Sequence, residues 1–434
     1  MAEKINEREL ILETLLMIGG EGIHSHLALS RVLDKYQYLS KSSRSFITRV
    51  VNGTLERQIE LDHILNQFSR TKVNKMKPVI RMILRSSVYQ MKYMDHVPDS
   101  AVVNEAVKLA QKKGFHGLKG FVNGVLRNIS RNIDQIVYPD RSDTINYISV
   151  TCSLPKWLVE FWLLTYDEET VLMMGQAFLA PAKTYIRRNT ARIGEADFEA
   201  ALKRDGVTFC KTKKLSYAYE LTDFDHLSAM ESFRNGYFYV QDLSSMQVAE
   251  WAEVKPNDTV LDVCAAPGGK AIHIAEKLAG KGTVIARDLT PYKVDLIREN
   301  VSRSGLSGVE VLCHDARIFD ETMRGKADVV IADLPCSGLG IMGRKPDLKQ
   351  NVTREGMMEL AALQREILSV VKEYVKPGGA LIYSTCTINR EENEANAAWF
   401  LQENPDFILE RQLQMLPGLK EGDGFYIARF VKNK

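Results

Sequence analysis

From residue 258 onward, the chain alternates between short apolar segments typical of buried strands and longer amphipathic segments typical of helices. The strand-like segments are DTVLDV, GTVIARD, VEVLCHD, ADVVIADLP and GALIYST, and the helical segments between them include AIHIAEKLAG, PYKVDLIRENVSRSG and GMMELAALQREILSVVKEYVK. This order predicts βαβ units and a doubly wound, mainly parallel sheet. Ligands of such sheets bind beyond the carboxyl ends of the strands, so the residues that follow each strand are the first candidates for a site.

Four consecutive predicted strands end in a glycine turn or an acidic residue. The first is followed by the turn CAAPGGK, residues 264–270, in which two glycines allow the backbone to approach a ligand closely. The next three are followed by Asp288, Asp315 and Asp333. A single aspartate after a strand is often only a helix cap, but four polar strand ends in order favour a ligand site.

The sequence of this glycine turn limits the type of cofactor. It matches neither GxGxxG nor GxxxxGK[ST], which argues against a dinucleotide site and excludes a phosphate-binding P-loop. Acidic strand ends suit a cofactor without phosphates, such as S-adenosylmethionine, whose adenine, ribose and amino group need acceptors. Asp288, twenty residues beyond Gly268, is placed to accept from both ribose hydroxyls.

Two cysteines also follow predicted strands, Cys336 in DLPCSGLG and Cys386 in YSTCT. Because adjacent parallel strands end at the same edge, the two thiols can face one pocket. A thiolate is a strong nucleophile, so both are candidates for catalysis, and their chemistry alone does not say which one attacks. Cys264 is expected in the glycine turn for its small size. The other cysteines are expected to be small buried residues: Cys152, Cys210 and Cys313.

Residues 1–140 predict helices only. Apolar residues recur at spacings of three and four in RSFITRVVNGTLERQIELDHIL, PVIRMILRSSVYQMKYM and GFVNGVLRNISRN, which indicates a helical bundle. This part contains 21 Lys and Arg against 14 Asp and Glu, a balance of +7, so the rest of a chain with net charge +2 carries −5. The imbalance favours contact with a polyanion, although a solvated helical surface is an equally good interpretation. The candidates for phosphate contacts are Lys112, Lys113, Lys119, Arg127 and Arg131.

Residues 145–235 predict a small α+β module. SLPKWLVEFW and EADFEAALKRDG are typical of helices, and KTYIRRNTAR, YAYELTD and GYFYVQD of strands. Basic and aromatic residues of this module are candidates to contact single-stranded RNA by charge and stacking, although tyrosines in strands more often pack in a core. They are Arg187, Arg188, Lys211, Lys213, Lys214, Tyr185, Tyr217 and Tyr219.

Composition and length set the remaining expectations. The 434 residues are enough for two or three domains, and no apolar run is long enough to span a bilayer. The first residues, MAEKINEREL, lack the apolar core of a signal peptide, and the six cysteines are scattered, as in proteins of a reducing compartment. We therefore expect a cytoplasmic monomer without membrane contact. Because no CxxC or HxxxH pair occurs, we expect no metal site.

The segment VPDSAVVNEAVKLAQKKGFHGLKGFVNGVLRNISR resembles the NusB-like RNA-binding domain, a fold that also occurs fused to RNA methyltransferases. The resemblance covers most of residues 1–140 and implies contact with RNA. With it, the sequence divides into a NusB-like helical domain (1–140), a small α+β module (145–235) and a third domain (236–434).

The third domain resembles the Sun/Fmu/RsmB family of ribosomal RNA cytosine methyltransferases. The matching motifs are NGYFYVQDLSS, LDVCAAPGGK, DLPCSGLG followed by RKPD, YSTCTINREENE and DGFYIARF. The resemblance implies a Rossmann-like domain that takes S-adenosylmethionine and methylates carbon 5 of one cytosine in small-subunit ribosomal RNA, cytosine 967 of the 16S molecule. The cofactor-binding residues it implies are Cys264, Ala265, Ala266, Pro267, Gly268, Gly269, Lys270, Asp288, Asp315 and Asp333.

The expected reaction explains why two cysteines are present. Carbon 5 of cytosine is a poor nucleophile, and a thiolate that adds at carbon 6 turns the ring into an enamine that can take a methyl group. An acidic residue near ring nitrogen 3 must offset the developing charge, and Asp333 is placed for this role. In the resembled family, the cysteine after Ser-Thr attacks and the one after Leu-Pro assists release. The resemblance therefore assigns attack to Cys386 and release to Cys336.

Two other functions are compatible with parts of the sequence. A methyltransferase acting on an adenine amino group is expected to carry Asn-Pro-Pro followed by an aromatic residue, and DLPC lacks the second proline and the aromatic. A catalytically silent RNA-binding assembly factor built on the helical bundle would need neither Cys336 nor Cys386. Absence of cofactor binding would favour this second alternative.

Overall fold

The computed structural model describes residues 6–21, 23–36, 38–224 and 226–434. The α-helices are α1 (Glu7–Glu21), α2 (Ser25–Lys35), α3 (Lys41–Glu56), α4 (Gln58–Phe68), α5 (Pro78–Tyr93), α6 (Asp99–Lys112), α7 (Lys119–Arg131), α8 (Thr144–Thr151), α9 (Lys156–Leu163), α10 (Glu168–Leu179), α11 (Glu195–Arg204), α12 (Glu231–Arg234), α13 (Leu243–Ala252), α14 (Gly269–Leu278), α15 (Pro291–Ser304), α16 (Leu348–Asn351), α17 (Arg354–Val371) and α18 (Glu394–Glu403). The strands are β1 (Thr184–Arg188), β2 (Thr208–Lys211), β3 (Ala218–Thr222), β4 (Phe238–Val240), β5 (Thr259–Asp262), β6 (Thr283–Asp288), β7 (Val309–Cys313), β8 (Ala327–Asp333), β9 (Val375–Thr385), β10 (Phe407–Met415) and β11 (Phe425–Lys432).

The chain forms two compact units. One comprises residues up to 181 together with 342–351, and the other comprises 182–341 and 352–434. The predicted helical N-terminal part and the predicted mainly parallel sheet are both confirmed. The two units differ from the three segments expected from the sequence, because helices α8 to α10 belong to the first unit and the α+β module belongs to the second. The three-part division therefore stays a prediction.

The core of the first unit is built from the apolar positions that recur every three or four residues. In α3, Ile47, Val50 and Val51 are fully buried, and α7 buries Val122 and Leu126 in the same core. Amphipathic helices are stabilised chiefly by burying such a face, which is why spacing alone predicted these elements.

Residues 342–351 complete this first unit although they lie far along the chain. Asp347 accepts a hydrogen bond from Ser25 Oγ at 2.6 Å and pairs with His24 Nδ1 at 3.1 Å. The Lys349 ammonium donates to the carbonyl oxygens of Glu56, at 2.9 Å, and of Cys152, at 3.4 Å. Burial lowers the pKa of Lys349 to about 8, since the charged form loses its hydration.

The second unit contains two sheets. The larger has seven strands in the order β10-β11-β9-β8-β5-β6-β7, and β5 to β9 pair in parallel, whereas β10 and β11 are antiparallel. The smaller has four antiparallel strands in the order β2-β3-β1-β4 and belongs to the α+β module. The hairpin of β10 and β11 and the edge strand β2 were not predicted from the sequence. Across the described part of the chain, no helix combines the length and the apolar character needed to cross a membrane.

One close packing contact in the first unit gives a stability test. Gly53 of α3 is buried against the Tyr89 ring of α5, and an added methyl group there would overlap that ring. We expect Gly53→Ala to lower the free energy of unfolding by about 1–3 kcal/mol, because the ring must move out of a packed core. Gly124→Ala is the matched control, since that helical position opens to space and alanine should add about 0.5–1 kcal/mol. Urea unfolding measures both, and equal stabilities would contradict the described packing.

Candidate active site

The carboxyl ends of four parallel strands meet at the middle of the seven-stranded sheet. Strand β5 lies between β6 and β8, so the chain leaves β5 toward one side and the later strands are added on the other. This is the topological switch point at which such sheets bind ligands. Asp262, Asp288 and Asp333 are the last residues of β5, β6 and β8, and Thr385, the last residue of β9, directly precedes Cys386.

The glycine turn between β5 and α14 is held by the end of β6. The Ala266 N–H donates to Asp288 Oδ2 at 3.0 Å, and the Ala265 N–H donates to the Arg287 carbonyl oxygen at 2.8 Å. Gly268 has φ of +105°, a backbone conformation that other residues rarely adopt. Asp288 is thus buried with Oδ2 bound to the turn and Oδ1 accepting the Leu289 N–H at 2.8 Å, and its predicted contact with a cofactor stays a prediction.

A buried ion pair supports the same turn from the α+β module. Arg187 of β1 is fully buried, and it donates to both carboxylate oxygens of Glu276 at 2.9 Å and to the Gly269 carbonyl oxygen at 3.0 Å. The expectation that Arg187 contacts RNA is therefore wrong, because protein acceptors occupy its N–H groups away from solvent. Tyr185 and Tyr219 are buried too, which confirms for them the interpretation as core residues.

Asp262 is a site residue that the sequence reasoning missed. Its carboxylate is buried, and neither oxygen has a hydrogen-bond partner within the described residues. Burial, with a smaller contribution from the nearby Asp333 charge, raises the pKa of Asp262 to about 7. A buried acceptor without a donor is unusual in folded proteins, and it fits a site that receives a cationic group such as the ammonium of S-adenosylmethionine. Its place at the end of β5, equivalent to that of Asp288 on β6, was the available signal.

Lys270 and Asp333 form an ion pair between the glycine turn and the cysteines. The Lys270 ammonium lies 2.7 Å from Asp333 Oδ2, and Ser384 Oγ donates to Asp333 Oδ1 at 2.7 Å. Burial acts to lower the pKa of Lys270, but the charges of Asp333, Asp262 and Cys386 outweigh it and keep that pKa above its usual value. Lys270 is therefore part of the site and not a surface residue at the start of a helix.

Asp315 has a different environment from the other acids. It lies two residues beyond the end of β7, and both its oxygens accept hydrogen bonds from the Arg317 guanidinium, the shortest at 2.7 Å. The hydrogen bonds from Arg317 hold the pKa of Asp315 below its ordinary value. Its predicted contact with a cofactor would thus be made by a carboxylate that is already paired, and it stays a prediction.

The structure brings the thiols of Cys336 and Cys386 together. Their sulfur atoms are 3.3 Å apart, and both residues are half-buried. The hydrogen bond to Cys386, together with burial, raises the pKa of Cys336 well above its usual value. The raised pKa of Cys336 favours its protonated form beside Cys386. Burial also raises the pKa of the Cys264 thiol, which makes it a poor nucleophile.

The remaining cysteines divide into two groups. Cys152 is buried, as predicted. The prediction of burial is wrong for Cys210 and Cys313, which are exposed. Both lie on edge strands, β2 and β7, where one face of the strand is open to solvent. In the described ranges, no group of three or more His, Cys, Asp or Glu side chains is arranged to hold a metal ion.

The fold and the acidic strand ends define an S-adenosylmethionine-dependent methyltransferase domain. The family model described as 16S rRNA methyltransferase RsmB/F matches residues 249–431, and the NusB family model matches residues 5–131. The probable ribosomal RNA small subunit methyltransferase B of Bacillus subtilis is 36% identical over 99% of both chains. The corresponding protein of Synechocystis is 31% identical over 99% of this chain and 100% of its own. The chain therefore belongs to the ribosomal RNA small subunit methyltransferase B family.

Two solved structures are similar to this chain in fold. The structure of PH0851 is similar over 100% of both chains, with a TM-score of 0.82 and 25% sequence identity. A methyltransferase homologue from Pyrococcus horikoshii is 25% identical, with a TM-score of 0.59, over 67% of this chain and 99% of its own.

Asp288 provides a test of the predicted cofactor site. Asp288→Ala should weaken S-adenosylmethionine binding by about 1.5–3 kcal/mol, the scale of a hydrogen bond to a charged group. Titration calorimetry measures the change, and Asp295→Ala is the matched control because Asp295 is an exposed carboxylate of α15. An unchanged affinity in Asp288→Ala would remove this residue from the site.

Proposed function

We propose that the protein transfers a methyl group from S-adenosylmethionine to carbon 5 of one cytosine in small-subunit ribosomal RNA, cytosine 967 of the 16S molecule. The observation that carries the proposal is the 3.3 Å separation of the Cys336 and Cys386 sulfurs beside the Lys270–Asp333 ion pair. Methylation at carbon 5 needs a nucleophile for carbon 6 and a second group for release, and this pair supplies two. Neither an assembly factor nor an amino-group methyltransferase needs such a pair.

The environments of the two sulfurs support attack by Cys386. The cationic Lys270 interacts electrostatically with Cys386 and favours its thiolate, whereas the hydrogen bond between the sulfurs raises the pKa of Cys336. The Cys386 sulfur then forms a bond to carbon 6 of the ring. The π bond between carbons 5 and 6 breaks, and its electron pair is shared between carbon 5 and ring nitrogen 3. The negative charge that develops toward ring nitrogen 3 is offset by a proton that Asp333 donates in its protonated form, with the positive charge of its partner Lys270 nearby.

The second half of the reaction restores the aromatic ring. S-adenosylmethionine, when bound, would supply an electrophilic methyl group to carbon 5, with its sulfur–methyl bond breaking and S-adenosylhomocysteine as the leaving group. Carbon 5 then loses its proton to a base, the 5,6 double bond re-forms, and the Cys386 sulfur leaves as a thiolate. Cys336, at 3.3 Å from the leaving sulfur, assists this release. Because base pairing in a duplex hides the ring, the target cytosine is unpaired or flipped out when it reacts.

The proposal includes the surroundings in which the protein acts. We expect it to work as a cytoplasmic monomer on ribosomal RNA before the small subunit is fully assembled. The names of its relatives support the RNA substrate, and the basic N-terminal part supports contact with a polyanion.

The two cysteines should give different phenotypes. Cys386→Ala should abolish methyl transfer and form no covalent adduct with RNA, because nothing adds to carbon 6. Cys336→Ala should still add and methylate, but its adduct should accumulate because release is impaired. A denaturing gel with labelled RNA and labelled cofactor separates the two results.

The same reaction identifies the modified base. Bisulfite sequencing of the wild-type product should show 5-methylcytosine at one position, and Cys313→Ala, an exposed cysteine away from the pair, should behave like the wild type. An adduct in Cys386→Ala alone would reverse the roles of the cysteines. Full activity in both single variants would end the covalent mechanism.

A second prediction concerns the basic residues of the helical unit. Lys112 and Lys113 are paired with Glu9 at 2.7 Å and 3.2 Å, whereas Lys119, Arg127 and Arg131 are exposed on α7. Replacing the last three by alanine should weaken RNA binding and flatten the dependence of log affinity on log salt by about 0.7–0.9 per lost phosphate contact. Filter binding at several salt concentrations measures the slope.

A matched variant distinguishes a specific effect of the α7 surface on RNA binding from a general effect of net charge. Alanine at Lys72, Lys75 and Lys77, which are exposed in the same unit, removes the same charge and should leave the slope nearer to that of the wild type. Equal slopes for both triple variants would show that α7 has no specific role in RNA binding.

A further inference from the structure

Glu392 is a fully buried carboxylate that contacts the loop of Cys336. It follows β9 in the segment TINREENE and has no exposed surface. Its Oε2 accepts the Ser337 N–H at 2.9 Å and the Gln364 amide at 3.0 Å, and its Oε1 accepts the Asn389 amide at 2.8 Å and the Ser337 hydroxyl. Only donors surround both oxygens, which is the pattern of an ionised carboxylate.

These contacts hold the residues on both sides of Cys336. Ser337 is bound directly by Glu392, and the Gln364 amide that donates to Glu392 also donates to the Pro335 carbonyl oxygen at 2.8 Å. The backbone before and after Cys336 is thus fixed by one buried network. Cys336 is the single residue between these two fixed points, so the network determines the direction in which its side chain leaves the backbone.

The same network sets the position of Cys336 relative to Cys386. The Ser337 hydroxyl lies 2.7 Å from the hydroxyl of Thr387, the residue after Cys386, and the Thr387 hydroxyl accepts the Leu339 N–H at 3.3 Å. The Gly340 N–H donates to the Cys386 carbonyl oxygen at 3.0 Å. Hydrogen bonds therefore connect the loop after Cys336 with the loop after Cys386, and Ser337, which Glu392 binds, is part of this connection.

The charge of Glu392 acts on the two thiols unequally. It is among the causes that raise the pKa of Cys336, whereas Lys270 carries the opposite charge on the side of Cys386. A negative charge disfavours a neighbouring thiolate and raises the pKa of that thiol, whereas a positive charge favours the thiolate and lowers the pKa. The two charges therefore make the pKa values of the two thiols different.

We propose that Glu392 is a positioning residue that holds the Cys336 loop against Cys386 and puts a negative charge on the Cys336 side of the pair. This inference deepens the proposed function and rests on it for the roles of the two sulfurs. In this proposal, the position and charge of Glu392 make the two thiols unequal, so that Cys386 attacks the base and Cys336 assists release.

The charge effect is measured without RNA. Glu392→Gln keeps the size of the side chain and removes its charge, while the neighbouring amides and the Ser337 hydroxyl can turn to accept from it. At a fixed pH, the ratio of iodoacetamide modification at Cys386 to that at Cys336, read by mass spectrometry, should fall about tenfold, which corresponds to one unit of pKa difference. Glu391→Gln is the matched control, because the adjacent Glu391 is exposed, and its ratio should equal that of the wild type.

The positioning effect is measured with RNA. Glu392→Gln should accumulate the covalent adduct on a denaturing gel, as expected for Cys336→Ala, whereas Glu391→Gln should not. Cofactor affinity by calorimetry reports whether the variant has folded. If Glu392→Gln does not fold, Ser337→Ala tests the positioning effect alone, since it removes the hydroxyl that contacts both Glu392 and Thr387 and should accumulate the adduct to a smaller extent.

The outcomes separate this inference from the proposed function. An unchanged alkylation ratio and no adduct in Glu392→Gln, or no adduct in Ser337→Ala if the first variant is unfolded, would overturn the role of Glu392. The absence of an adduct in both Cys336→Ala and Cys386→Ala, with full activity in each, would overturn the covalent function itself, and the alkylation ratio would still test Glu392.

Discussion

Parallel pairing of β5 with β6 on one side and β8 on the other is the constraint on which the site depends. This pairing puts the ends of strands that are distant in sequence at one edge, so that Asp262, Asp288 and Asp333 approach one another. Three carboxylates in such proximity repel one another unless cations or hydrogen-bond donors offset them. Lys270 and the turn amides supply part of that compensation, and the unpartnered Asp262 is the position at which a bound cation would supply more.

Buried polar contacts outside this edge determine how firmly the site is held. The ion pair of Arg187 and Glu276 has almost no exposed surface, and such a pair adds little to stability because both groups lose their hydration. Its value is geometric, since Arg187 also binds the Gly269 carbonyl oxygen and so fixes where α14 begins. Glu392 has the same relation to Cys336. In both cases a buried polar side chain binds the backbone of a loop that contributes to the site.

The sequence predicted those parts of the molecule that depend on local pattern. Strands β5 to β8 were recognisable because each apolar run is followed by a glycine turn or an acidic residue, and the closeness of Cys336 and Cys386 was expected because they follow adjacent strands. Arg187 was misread because an arginine in a strand looks solvent-facing until its partner Glu276, distant in sequence, is known. Likewise, one segment with continuous helical spacing breaks at Arg57 into α3 and α4. Contacts between distant residues decide such cases, and a single sequence does not display them.

The return of residues 342–351 to the first unit has a consequence for synthesis of the chain. Asp347 and Lys349 reach Ser25 and Glu56 only after the 160 residues 182–341 have followed the N-terminal segment of the unit. At roughly 5–20 residues per second, the ribosome needs about 8–32 s to deliver them. The helical unit, although encoded first, is therefore finished late, when most of the catalytic sheet has already emerged from the exit tunnel.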